Sequence, residues 1–292
     1  MTTYDITARI RYDYDPPAAA GRNLLRLMPA DLPGRQRLIA GQIAASPSPS
    51  ERAERADFFG NRLTEMTFRA AAATTAFTLR ARVERLAEGE ELDLSPPLAA
   101  LPGELAQARS LGPDAPHHFL GASPRVAPLD EITGFARAEV GPTVLRTVTA
   151  VGRALHKYMT FDSTATTVDT TPVEAFRLKR GVCQDLAHVM IAGLRGIGIP
   201  AGYVSGFLRT TPPKGQPRLE GADAMHAWVR AWCGAEIGWV EYDPTNAIRA
   251  GTGHIIVAYG RDYDDVAPVQ GVLRLSGAQT GSHSVDTRAI AG

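Results

Sequence analysis

Cys183, His226 and Asp243 are residues whose types and order could together perform nucleophilic chemistry. A thiol attacks as its thiolate, and a free cysteine, with a pKa of about 8.5, is only slightly ionised at neutral pH. A helix N-terminus and a neighbouring imidazolium both favour the ionised form. Cys183 has the first by position. Gly181-Val182 leads into it, and Leu186, Val189, Met190, Leu194 and Ile197 then recur at helical spacing. Backbone N–H groups at such a helix start can also hold the oxyanion of a tetrahedral intermediate.

The imidazole comes from a strand pattern. Across residues 224–233, Met225, Ala227, Val229, Ala231 and Cys233 form one apolar face, and His226, Trp228, Arg230 and Trp232 form the other. Cys233 therefore points into the core, away from His226. A third group should orient the imidazole. The next strand, residues 237–243, ends at Asp243 because Pro244 cannot continue the ladder. A loop of two or four residues around Gly234-Ala235 would set His226 directly opposite Asp243, on the same face. Singly, a helix cysteine reads as a small buried hydrophobe and a strand histidine as satisfied core. In the order Cys, His, Asp on helix, strand and strand, they point to a thiol nucleophile with an oriented base.

The elements that must position these groups follow from periodicity. Thr171-Pro172-Val173-Glu174 has the spacing of a capping box with Pro at the first helical position. Gly196, Gly198 and Pro200 stop the helix that begins at Cys183. Strand-like runs follow at 201–209, 222–233, 237–243, 255–259 and 272–275, an α+β layout. Upstream, residues 4–14 alternate, with Tyr4, Ile6, Ala8, Ile10 and Tyr12 on one face, until Pro16-Pro17 ends the strand. Further runs at 24–28, 38–44, 62–68 and 75–86 suggest a small β-sandwich. The reading is an N-terminal β domain over 1–88, a Pro/Gly-rich linker over 89–127 and a second domain over 128–292. Helical periodicity is expected near 104–109, over 129–138 and from Pro142 to Tyr158.

Composition narrows the function classes. Lys plus Arg and Asp plus Glu are equal at 31 each in 292 residues, so the overall charge lacks the basic footprint of a nucleic-acid binder. No run approaches the roughly 18 apolar residues of a membrane helix. No secretory signal is seen at the N-terminus, and a cytoplasmic location is expected. Two cysteines are too few for a disulfide scaffold. No CxxC, HExxH or EF-hand pattern appears, so neither a metal nor a cofactor is expected. His117-His118 reads as a solvated pair in a loop.

The motifs now reached resemble those of the bacterial transglutaminase-like family. Arg180-Gly181-Val182-Cys183-Gln184-Asp185-Leu186-Ala187-His188 is similar to its nucleophile motif, His226-Ala227-Trp228-Val229 to its histidine motif and Asp243-Pro244-Thr245-Asn246 to its aspartate motif. Gly198-Ile199-Pro200-Ala201-Gly202-Tyr203-Val204-Ser205-Gly206 resembles the helix end and strand between them. His254-Ile255 and the stretch from Gly260 to Pro268 resemble a segment further downstream, and Leu27-Met28-Pro29 and Phe59-Gly60-Asn61 its N-terminal β domain. Leu186 stands where Phe is commoner, a conservative exchange within the apolar stripe. The resemblance implies a papain-like core, a Cys183–His226–Asp243 triad and acyl chemistry on amides through a thioester. Family members include proteases, amide hydrolases and amine-accepting cross-linkers, so it leaves the acyl acceptor open.

Other residues carry two readings each. Gln184 could help hold an oxyanion. Trp228, Trp232 and Trp239 could line a substrate cleft or simply pack the sheet. Asp185 and His188 could tune the nucleophile helix or make local hydrogen bonds. Arg261 and Asp262 could border the cleft or brace a loop. The expected function is thiol-dependent acyl transfer or hydrolysis on a peptide or protein amide, with no nucleic-acid or membrane partner. The alternatives are a binding module that keeps the fold without turnover, and acetyl transfer of the arylamine-acetyltransferase kind. The residues do not specify the oligomeric state.

Overall fold

The computed structural model describes residues 1–87, 89, 92–210, 223–273 and 277–290. Six strands come first: β1 (Thr2–Ala18), β2 (Gly21–Leu25), β3 (Gln36–Ser46), β4 (Glu51–Ala56), β5 (Arg62–Phe68) and β6 (Ala72–Arg85). Helices follow, α1 (Leu101–Gln107), α2 (Asp130–Ala138) and α3 (Val144–Tyr158). Next come the short β7 (Thr160–Phe161), α4 (Pro172–Leu178), the short β8 (Arg180–Gly181) and α5 (Cys183–Gly196). The chain continues with β9 (Ala201–Leu208), β10 (Ala224–Trp232), β11 (Trp239–Asp243), β12 (Ile248–Arg249), β13 (His254–Gly260), α6 (Tyr263–Val266), β14 (Val269–Leu273) and β15 (Ala278–Ile290).

The β-sandwich is built from both ends of the chain. One four-stranded sheet runs β15-β1-β6-β3, the other β14-β2-β5-β4. Tyr4, Ile6, Ala8 and Ile10 of β1 are buried, as their alternation demands, against Phe77, Leu79 and Val83 of β6 and Leu25 and Met66 of the second sheet. This corrects the boundary read from the sequence. Residues 269–290 do not stay with the second domain, because β14 pairs with β2 and β15 pairs with β1 along thirteen positions. β1 also runs through Pro16-Pro17 to Ala18 with an irregularity after Asp13 rather than ending there. Of the sequence-predicted strands, Ala222 and the positions Arg274 and Leu275 lie outside the described residues.

The second unit packs helices on a five-stranded sheet of order β12-β11-β10-β9-β13. α5 is buried along nearly its whole length and is the central helix. The Pro-rich stretch is more than a linker: Leu101, Leu105, Phe119 and Val126 are buried in the core, and Glu104 accepts the Ala235 N–H at 2.8 Å. α3 starts later than Pro142, because the Thr143 hydroxyl caps it by accepting the Arg146 N–H at 3.2 Å. The capping box read at Thr171 and Glu174 is present. No helix among the described residues is long and apolar enough to cross a membrane.

The two units are stitched by amide side chains. Gln36 donates to the carbonyls of Ala30 and Ile256 at 2.8 Å each and accepts the Ile256 N–H at 2.8 Å. Asn61 does the same for Tyr259, donating to its carbonyl at 2.8 Å and accepting its N–H at 2.8 Å. Each amide thus pairs with both main-chain groups of one β13 residue, which fixes the sandwich against the β13 edge of the sheet.

Candidate functional site

The helix that begins at Cys183 is closed at its start by a carboxylate. Asp185, in the first turn of α5, accepts the Val182 N–H at 2.8 Å and the Thr166 hydroxyl at 2.6 Å. Burial pushes its carboxyl above the ordinary value, against those two hydrogen bonds. A Cβ on residue 181 would lie 2.6 Å from an oxygen of Asp185, so only glycine fits ahead of Val182-Cys183. Cys183 is partly exposed at the first position of α5, where helix N–H groups have no intrahelical partner.

His226 meets Asp243 through a different register from the one the sequence suggested. Val229 faces Tyr242 and Trp232 faces Trp239. That ladder is displaced by two residues, and extending it brings Trp228, not His226, level with Asp243. The cause is the turn: the Cys233 N–H bonds the Gly238 carbonyl at 2.8 Å, and Gly234 and Gly238 take left-handed φ of 98° and 69°. The even loop length keeps the two residues on one face, and as diagonal neighbours they still meet. His226 Nε2 donates to Asp243 Oδ2 at 2.7 Å. Cys183 and the same ring line one cavity, with the thiol near enough to act on the imidazole. Burial by itself lowers the imidazolium, but the bond to Asp243 and the nearby Cys183 outweigh it and raise the histidine to about 10.

Asp243 is fully buried and accepts five hydrogen bonds. Oδ1 takes the N–H groups of Thr245 and Asn246 at 2.9 and 3.1 Å. Oδ2 takes His226, the Asn246 amide at 2.7 Å and a second histidine, His254, at 3.0 Å. Burial opposes its charge, but the bonds from His226 and His254 hold the carboxyl well below the usual range. His254 was absent from the residues singled out for chemistry. Its only sequence signal was membership of the downstream His254-Ile255 motif, which carries no spacing rule linking it to Asp243.

The two histidines differ in protonation. The Gly251 N–H points at His254 Nδ1 at 3.2 Å, so that nitrogen is an acceptor and Nε2 carries the hydrogen given to Asp243. His254 is thus a neutral donor, and the carboxylate charge is matched by His226 alone. His226, Asp243 and His254 lie close enough together to suggest a metal site. The donor chemistry does not fit one: a metal would need the His254 Nε2 lone pair, and moving its hydrogen to Nδ1 would set it against the Gly251 N–H.

The thiol opens into a cavity of about 770 Å³. Tyr203, Ser205, Met225 and Val168 line it from the helical unit, and Ile10, Tyr12 and Gly281–His283 from the sandwich. Gln184 lines it too, with its amide donating to the Val168 carbonyl at 3.1 Å. Trp228 does not. It is fully buried, its ring lies against His226 at 6.1 Å, and its N–H is held by Glu241 at 2.8 Å, so it walls the imidazole rather than a substrate cleft. Trp232 is buried, and Trp239 packs on Phe119. Arg230 sits among the rings of Phe119, Trp239 and Tyr259 at 4.4–4.6 Å.

The remaining polar residues are structural. His188 accepts the Tyr263 N–H, and burial, with nearby Arg125 and Arg195, drives its imidazole down to about 3. Asp262 caps α6 and takes the Arg125 N–H at 2.7 Å, and Arg261 pairs with Asp265. Cys233 is buried, and burial pushes its thiol up to about 12.

Comparison with known proteins matches this architecture. The pattern of the transglutaminase-like superfamily covers residues 132–244, and that of the bacterial transglutaminase-like N-terminal region covers residues 4–84. The uncharacterized protein Rv2569c of Mycobacterium tuberculosis is 33% identical over 288 residues, spanning 92% of this chain and 87% of its own length. The uncharacterized protein ML0607 of Mycobacterium leprae is 39% identical over 137 residues, 46% of each chain. A solved structure from Cytophaga hutchinsonii, provisionally named a cysteine protease, superposes with a TM-score of 0.75 at 20% identity, covering 100% of this chain and 91% of its own. At that identity the likeness concerns the fold.

Proposed function

This chain belongs to the transglutaminase-like superfamily, and we propose that it is a thiol acyl-transfer enzyme acting on peptide-type amides. The observation that carries the reading is one cavity lined by both Cys183 and His226, with the His226 ring bonded at 2.7 Å to the buried Asp243 carboxylate. Asp243 holds His226 by Nε2, which leaves Nδ1 for the thiol. The bond to Asp243 favours the imidazolium form of His226 beside the thiol.

In the first half-reaction Cys183 Sγ attacks the amide carbonyl carbon. N–H groups of the first turn of α5 stabilise the oxyanion. The C–N bond then breaks, His226 gives its proton to the leaving amine, and a thioester remains on Cys183. In the second, His226 takes a proton from the incoming acceptor, which attacks the thioester and restores the thiol. Water is the default acceptor, so hydrolysis is the expected outcome and an amine the variant one.

The test is the alkylation of Cys183 by iodoacetamide at neutral pH. An activated thiol in the wild type should react about tenfold faster or more than in His226→Ala, since a free thiol is only a few per cent ionised. Equal rates in the two proteins would remove the reading. Turnover of amide and thioester substrates should vanish in Cys183→Ala.

A further inference from the structure

We propose that the cavity takes its substrate as an added β-strand: an extended polypeptide segment hydrogen-bonded to the outer edge of β15, with its scissile amide over Cys183. The inference rests on the acyl-transfer reading and names the form of the substrate.

The cavity is a wedge between two strands that part company. Just before β10, Asp223 makes an antiparallel bridge to Val285 of β15. Beyond it β10 pairs with β9, while β15 stays with β1. Continued, the bridge register would set Met225 opposite His283 and Ala227 opposite Gly281. Those residues line the two sides of the cavity instead, with His226 and Cys183 between them. The gap occupies the place of a missing strand.

The β15 side of that gap is an open edge. β15 is the last strand of its sheet, and residues 278–284 are exposed. In a strand, N–H and C=O groups turn to alternate sides every residue. Val285 bridges outward to Asp223, and the Thr287 N–H is taken by Asp223 Oδ2 at 2.6 Å. By the same parity His283, Gly281 and Gln279 present their main-chain groups outward, and among the described residues no strand pairs with them.

The lining says how recognition must work. Among the described lining residues there is no Asp, Glu, Lys or Arg, and Ile10, Tyr12, Val168 and Met225 supply apolar surface. The lining within the cavity is mostly apolar, so main-chain pairing gives affinity and the side chains that enter the cavity give preference.

A peptidyl aldehyde tests this without a known substrate. The Cys183 sulfur adds to the aldehyde carbon, the oxygen takes a proton, and the reversible adduct protects the thiol from iodoacetamide. The aldehyde carries an apolar residue next to the reactive carbon, and its amides are methylated one at a time. Methylation should weaken protection at every second position, by about tenfold each for a lost main-chain hydrogen bond. Gly281→Pro, which lacks the outward N–H that a substrate carbonyl would accept, should weaken protection by the unmethylated aldehyde about tenfold, and Gly281→Ala should leave it unchanged. Protection indifferent to which amide is methylated overturns the inference, as does a simple alkyl aldehyde that protects equally well. Failure of the acyl-transfer reading is distinguished by alkylation with no aldehyde present: equal rates in wild type and His226→Ala remove the reading, and strand addition with it.

Discussion

Glu241 and Asp243 lie two residues apart on β11, share a face of the sheet and are both buried. Both carboxyls are held below their ordinary values although burial opposes their charge. Their partners differ. Glu241 is bonded by Arg35 at 2.9 Å, the Trp228 N–H at 2.8 Å and the Tyr259 hydroxyl at 2.8 Å. None of these exchanges a proton near neutral pH, and Arg35 comes from the sandwich, so this carboxylate ties the two units together. Asp243 is bonded by two histidines and an asparagine, and one of those histidines reaches a thiol in an open cavity. Burial and hydrogen bonding are common to both places. The difference lies in a titratable partner with access to the cavity, which only Asp243 has.

The largest expected break in that comparison is Asp243→Asn. Single-turnover acylation should fall about 10⁴-fold, because the amide cannot match an imidazolium, while the protein stays folded. Glu241→Gln should do the reverse. It removes the buried charge that Arg35, the Trp228 N–H and the Tyr259 hydroxyl meet and should cost about 2–3 kcal/mol of stability in denaturant unfolding, discounted because Arg35 is partly exposed, with little change in the reactivity of Cys183. A smaller effect is expected at His254. Removing this neutral donor in His254→Ala should slow acylation about tenfold, the scale of one hydrogen bond to a charged group, and an NMR titration of the variant should still find His226 raised above its ordinary value.

The pH dependence sharpens the contrast further. His226 is raised from 6.5 to about 10, so its ion pair stabilises the fold fully below the ordinary value and is lost as pH rises through about 10. The melting-temperature gap between wild type and His226→Gln should therefore be widest near pH 6 and shrink steadily toward pH 10. The gap for Glu241→Gln should hold over that range, because arginine keeps its charge.

Much of this was legible in single residues. The alternation from Tyr4 to Ile10, the capping box at Thr171 and the helix opening at Cys183 all follow from local patterns, because period and cap chemistry are properties of neighbours in the chain. The shared face of His226 and Asp243 also survived, since it depends only on loop parity. The register did not, because two glycines with left-handed backbones shifted the turn by one residue. Beyond His226, the side of β10 opposite its apolar face is largely an interface: Trp228 and Arg230 are covered by groups from distant segments.

The sequence by itself determined that a thiol stands at a helix start and that an imidazole and a carboxylate share a strand face, since caps, periodicity and parity act over a few residues. Only the tertiary structure decided that His254 joins Asp243, because β9 and β10 intervene between their strands in the sheet. It also decided that the last strand of the chain returns to β1 and walls the cavity. Such contacts depend on which edges remain free once every other strand has found its partner, and no local pattern encodes that.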